Sequence, residues 1–192
     1  SLDQAVTGSV DDALKLGCAA IGFTIYPGSD HNFSLMEEYR ELSHEAKAKG
    51  LAVVLWAYAR GSNISKKGET AMNIISYAAH MSALLGANII KVKLPSDFLE
   101  EDPTKAAFEN NKIAISTLQE RVAHIKKVSF EGKRLVVFSG GDAKDDNALM
   151  EEIKAIHFGG GNGSIIGRNC FQRTREDSLA LLDQMIQIYK SK

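Results

Sequence analysis

The sequence predicts an α/β fold built on a parallel sheet, and three observations carry that prediction. Five short, mostly apolar segments alternate with segments of helical periodicity. Each apolar segment is closed by a glycine, a proline or a polar turn, and the helical stretches between them are crossover connections rather than hairpins. Polar side chains collect at the ends of those segments: Tyr26 and Ser29, then Trp56, Tyr58 and Arg60, then Lys91 and Lys93, then residues 139–144, then residues 167–169. An open doubly wound sheet and part of a (β/α)8 barrel both satisfy the first two observations. Under the barrel reading, functional side chains belong at the C-terminal ends of several strands, where these residues fall.

Residues 9–17 read as a short helix, with Ser9 as N-cap, acids in the first turn and Gly17 at the C-terminal stop. The first strand covers 19–26 and ends at Pro27-Gly28. A helix over 34–48 follows, striped by Leu35, Met36, Tyr39, Leu42 and Ala46 and stopped by Gly50. Residues 51–58 are the second strand. The helix over 69–85 presents Met72, Ile75, Ala79 and Leu84 on one side, and Gly86 leads into a third strand that ends at Pro95. The acidic stretch through Pro103 reads as loop, and a long helix is predicted from 110 to 128 on the stripe Ile113, Leu118, Val122 and Ile125. The fourth strand covers 134–138, a helix 145–157, the fifth strand and its turn 163–169, and a last helix 176–190.

The length of 192 residues fits a single domain over 1–192. With 23 basic against 24 acidic residues and no dense basic block, neither nucleic acid nor a membrane surface is an expected partner. No apolar run approaches the ~20 residues that span a bilayer, and the N-terminus lacks the features of a signal peptide. Cys18 and Cys170 have neither zinc-site nor disulfide spacing, which points to a reducing cytoplasmic setting. The five histidines lack metal-ligand spacing, and the glycine-rich residues 159–163 lack the strand-before, helix-after context of a dinucleotide fingerprint. No metal and no cofactor are therefore expected.

The third strand is the unusual one. Lys91 and Lys93 sit two apart in an otherwise apolar segment, so they share one face, while Ile90 and Val92 share the other. Repulsion and desolvation both favour a neutral amine, the form that attacks a carbonyl as a Schiff-base nucleophile. A plain alternative is that both lysines end the strand and reach solvent. Strand alternation does not separate the two. Trp56, Tyr58 and Arg60 occupy every second position and so aim at the same face: a ring to pack substrate, a phenol to move a proton, a guanidinium for an anionic group. The glycine turns at Ser139, Gly140 and Gly141 and at Gly167 and Arg168 leave room for backbone N–H groups to meet a phosphate, though either alone is also a common tight turn.

Taken together, residues 22–29 (GFTIYPGS), 56–61 (WAYARG), 90–93 (IKVK), 138–141 (FSGG) and 167–172 (GRNCFQ) resemble the archaeal-type class I fructose-bisphosphate aldolases. That resemblance implies a (β/α)8 TIM barrel, a homo-oligomer, and a metal-independent carbon–carbon lyase of glycolysis and gluconeogenesis. The expected reaction is reversible cleavage of fructose 1,6-bisphosphate to dihydroxyacetone phosphate and glyceraldehyde 3-phosphate. It implies Lys91 as the Schiff-base former, Lys93 as its neighbour, Tyr58 as proton carrier and Trp56 along the substrate channel. Arg60 would hold the distal phosphate, and Gly140, Gly141, Gly167 and Arg168 the phosphate of the dihydroxyacetone half. The family barrel has three further strands before Gly22, including an Asp-His-Gly segment without counterpart here. The chain is accordingly expected to cover about the last five β/α units, with a companion N-terminal fragment as one way to complete the barrel. Two alternatives stand beside it: another Schiff-base lyase or transferase of the same family acting on a different phosphorylated ketose, and a noncatalytic phosphosugar-binding subunit.

Overall fold

The computed structural model describes residues 2–140 and 144–191, and these form one parallel sheet with helices between its strands. In chain order the elements are α1 (Val10–Lys15), β1 (Ala20–Ile25), α2 (Asn32–Ala48), β2 (Ala52–Ala57), a 3-10 turn (Gly68–Thr70), α3 (Met72–Leu84) and β3 (Ile89–Lys93). The second half contributes α4 (Asp102–Asn110), α5 (Leu118–Val128), β4 (Leu135–Ser139), α6 (Asp146–Phe158), β5 (Gly163–Ile165), α7 (Arg168–Phe171) and α8 (Arg175–Lys190). The spatial order of the strands is β1-β2-β3-β4-β5, every neighbouring pair parallel.

That order decides between the two architectures left open by the sequence. A doubly wound sheet reverses its strand order at a switch point, which sends helices to both faces. Here each strand pairs with the next in sequence, and right-handed crossovers then place every helix on the same side. Burial shows the consequence. Phe23, Ile25, Val53, Leu55, Ala57, Ile90, Val92, Val136 and Phe138 point to the helix side and are fully buried or nearly so. They pack with Leu35, Tyr39, Ile75, Val122, Ile125, Leu149 and Ile153 from the helices. The alternate residues on the other face are partly buried or, like Gly22 and Leu135, exposed. A sheet covered on one face and wound in one direction is a sector of a barrel wall, and the uncovered face is its interior.

Local signals account for most element ends. Ser9 and Asp12 form a reciprocal capping box at α1, and Thr117 and Glu120 form another at α5. Gly50 and Gly86 take positive φ of 82° and 91° between a helix and the next strand, where a side chain would be strained.

Three expectations need correction. The predicted helix over 110–128 is two helices: α4 begins at Asp102, with Pro103 in its first turn, and the chain breaks before α5 starts at its Thr117 cap. Lys112 has positive φ in the break, and Arg121 pins the irregular segment through Nη1 to the Ile115 carbonyl (2.8 Å) and Nε to the Pro95 carbonyl (2.9 Å). Leu84, placed on the core stripe of α3, is exposed, because it stands on the solvent side of the helix end. The fifth strand stops at Ile165, and Arg168 and Asn169 already belong to α7. Among the described residues no helix is long and apolar enough to cross a membrane.

Candidate functional site

The register lines the functional side chains up in rows across the open face. Thr24 pairs with Trp56, Trp56 with Lys91, Lys91 with Val137 and Val137 with Gly163. Two residues further toward the strand C-termini, Lys93 pairs with Ser139 and Ser139 with Ile165. The strand order thus brings residues more than a hundred positions apart into one plane.

At the C-terminal end of the sheet lies a cleft of about 630 Å³. It collects Tyr58, Arg60, Lys93, Ser139, Gly140 and Arg168, six of the residues singled out from the sequence. Lys91 stands one alternation deeper on the same face, its Nζ 5.7 Å from the centroid of the Tyr58 ring. Trp56 leans the other way, toward β1, where it borders a separate groove with Gly22 and Thr24. Gly167 precedes α7, and Gly141 lies outside the described residues.

The structure separates the two lysines. Lys93 Nζ donates to Glu69 Oε2 at 2.8 Å, and the pair is largely buried, the side chains being 19% and 15% exposed. Glu69 also accepts from Lys66 at 2.9 Å and has the Arg60 Nε 4.0 Å away. Burial pushes the Glu69 carboxyl up, but the hydrogen bonds from Lys93 and Lys66 outweigh it and hold the group below the ordinary glutamate value. Among the described residues no carboxylate comes within ion-pair distance of Lys91. One lysine is therefore held beside a carboxylate, and the other is left against an aromatic ring.

Nothing in the local sequence marks Glu69, because its position is set by loop packing. The segment from Ser65 to Thr70 is clasped by the loop after β3. Glu100 accepts from Ser65 N (2.7 Å) and Ser65 Oγ (2.8 Å), Ser96 N donates to the Thr70 carbonyl (2.8 Å), and Met72 N to the Phe98 carbonyl (2.8 Å). Lys66, Lys144 and Glu152 line the same cleft and also escaped the sequence reading as individual site residues. The cleft carries five cationic side chains, Arg60, Lys66, Lys93, Lys144 and Arg168, against the carboxylates of Glu69 and Glu152. Such an excess suits an anionic ligand.

One glycine expectation changes, and another glycine acquires a role. The Gly140 N–H donates to the Ile165 carbonyl at 3.3 Å, so it extends the sheet instead of facing a ligand. A side chain at Gly140 would meet Ile166 Cγ2 at 2.9 Å, which makes packing a sufficient reason for the glycine. Gly22 has a clearer role: a Cβ there would overlap the six-membered ring of Trp56, so the bare backbone is the seat of the indole. Gly22→Ala should lift that ring, at a cost of about 1–3 kcal/mol for overpacking. Trp56 is the only tryptophan, so its emission maximum reports the change. An unshifted spectrum would show that the ring does not rest on Gly22 in solution.

Comparison with known proteins adds the family. The profile of the DeoC/LacD family aldolase matches residues 2–173. A class 1 fructose-bisphosphate aldolase of Halobacterium salinarum is 33% identical over 181 residues, covering 94% of this chain and 59% of that protein. One from Thermoproteus tenax is 31% identical over 166 residues, covering 86% and 54%. Among solved structures, an archaeal fructose-1,6-bisphosphate aldolase whose catalytic lysine is covalently bound to the carbinolamine intermediate superposes with a TM-score of 0.77 at 28% identity, covering 95% of this chain and 62% of that one. The chain thus spans less than two thirds of the length of these relatives.

Proposed function

Since this chain belongs to the DeoC/LacD family of aldolases, we propose that it supplies the catalytic wall of a class I, Schiff-base aldolase that reversibly cleaves fructose 1,6-bisphosphate. The observation that carries the reading is the separation of the lysine pair: Lys93 is committed to Glu69, while Lys91 faces the Tyr58 ring with no carboxylate partner among the described residues. Glu69 occupies the Lys93 ammonium, so Lys91 is the lysine left open to a carbonyl, and an amine is the nucleophile that forms a Schiff base.

In this reading Lys91 adds to the ketone carbon, water leaves, and the resulting iminium draws the electrons of the C3–C4 bond as it breaks. Tyr58 relays the proton of the hydroxyl on C4 as the aldehyde forms, its phenol oxygen accepting that proton while its own O–H proton passes to water. Arg60 meets the distal phosphate and Arg168, with Gly167, the phosphate of the dihydroxyacetone half. Their remote contacts hold the ketone over Lys91 and contribute binding energy to the reacting centre. The 33% identity to a named aldolase and the cationic cleft support a bisphosphate substrate over a singly phosphorylated one.

The iminium is the electron sink, so no metal is required. A homo-oligomeric, cytoplasmic enzyme is part of the same proposal. So is a companion polypeptide segment along the open sheet edges, supported by the single pairing partner of β1 and of β5 among the described residues. The test is borohydride trapping with dihydroxyacetone phosphate. A covalent adduct should form on the protein, and EDTA should leave both trapping and cleavage unchanged. Absence of an adduct, or loss of activity on chelation that zinc restores, would overturn the Schiff-base reading.

A further inference from the structure

The cleft contains a second lysine held by a carboxylate, on the side opposite Lys93. Lys144 stands just before the N-cap of α6, and its Nζ is ion-paired with Glu152 Oε2. Glu152 projects from the middle of α6 and is 8% exposed, yet it lines the cleft. Its other oxygen, Oε1, is buried and has no hydrogen-bond partner among the described residues. The backbone of Lys144 is anchored as well: its N–H donates to Asn169 Oδ1 at 2.8 Å, and Asn169, 4% exposed, follows Arg168 in the first turn of α7. Lys144 is therefore tied to α7 by its backbone and enters the cleft by its side chain.

A half-satisfied, nearly buried carboxylate is costly, and a simple surface tether for a loop has no need of one. Its effect here is specific. An ammonium has three N–H donors, Glu152 occupies one, and the side chain remains 37% exposed toward the cleft. Holding the long side chain in advance removes much of the rotamer entropy that a lysine otherwise loses on binding.

We propose that Lys144 is a direct ligand of the substrate phosphate in the cleft at the C-terminal ends of β4 and β5, and that Glu152 is the positioning residue that holds it there. The assignment of that phosphate to the dihydroxyacetone half rests on the aldolase reading above. The binding of a phosphate group does not.

The test is calorimetric titration of inorganic phosphate into the whole protein, paired with kinetics. Lys144→Met should weaken phosphate binding about 10- to 100-fold, the usual scale for loss of a charge-assisted hydrogen bond. Lys144→Arg should restore it to within about threefold, and Glu152→Gln should give a smaller loss, because the charge stays while its holder goes. With fructose 1,6-bisphosphate, Lys144→Met should raise KM by a similar factor with little change in kcat, whereas fructose 6-phosphate, which lacks that phosphate, should be nearly unaffected. Unchanged phosphate affinity in a Lys144→Met variant with native circular dichroism overturns the proposal, as does a wild type that binds no phosphate, or an equal KM increase on both sugars. If phosphate binding behaves as expected while borohydride yields no adduct on the wild type, the aldolase reading fails and the phosphate site stands.

Discussion

Lys91→Met is expected to abolish borohydride trapping by dihydroxyacetone phosphate and to lower cleavage by roughly 10⁴-fold or more, the scale on which removal of an attacking group costs an enzyme. Methionine keeps the length and apolar stem of the side chain, so the row from Thr24 through Trp56 to Val137 stays packed while the amine, the proposed nucleophile, is gone. Lys93→Met should behave differently. It leaves Glu69 largely buried with Lys66 and Arg60 as its remaining cations, and adduct formation should slow without disappearing. The mass of the trapped protein distinguishes the two variants. If Lys93→Met alone removes the adduct, the order within the pair is reversed, and the ion pair with Glu69 belongs to the nucleophile.

The second large effect is expected from Tyr58→Phe. The Tyr58 backbone N–H donates to the Ile25 carbonyl at 3.1 Å, which continues the β1–β2 pairing just past the end of β2 and fixes where the ring stands. Phenylalanine preserves that pairing and the aromatic face toward the Lys91 ammonium, and only the hydroxyl is lost. Trapping should therefore persist, while turnover in the cleavage direction falls by roughly 10²- to 10⁴-fold, the usual worth of a positioned acid or base. Because the step after iminium formation is the one slowed, the variant should accumulate trappable adduct with the bisphosphate. Unchanged kcat with a raised KM would make Tyr58 a binding residue.

These two residues also show how far the sequence reaches. Alternation along a strand is a property of the extended backbone, so Trp56, Tyr58 and Arg60 on one side, and Lys91 and Lys93 on one side, follow from spacing alone. All five strands lie where the apolar segments predict them, because each is bounded by turn chemistry that acts locally. The region from 96 to 117 was less legible. Its helical stripe runs across a break, and the Thr117 capping box that marks the true start of α5 is a short-range signal overridden in the reading by a longer apolar periodicity. The clustering of Tyr58, Arg60, Lys93, Ser139, Gly140 and Arg168 was legible as strand-end residues. Glu69 and Glu152 were not: each stands in an ordinary polar stretch, and each matters only through a lysine brought to it by folding, Lys93 for one and Lys144, legible only as the last of the strand-end residues 139–144, for the other.

The sequence by itself determined a parallel α/β chain with two lysines on one strand face and a set of polar residues at the strand ends. It left open whether the sheet reverses its order, since both windings use the same local βα units. The tertiary structure decided that point, with strands stacked in sequence order and one face left bare. It also decided which lysine is paired. Glu69 is 24 residues from Lys93 in sequence and reaches it because Glu100, Ser96 and Phe98 of one loop grip Ser65, Thr70 and Met72 of another. Electrostatic partnership depends on distance in space, which spacing along a strand does not encode.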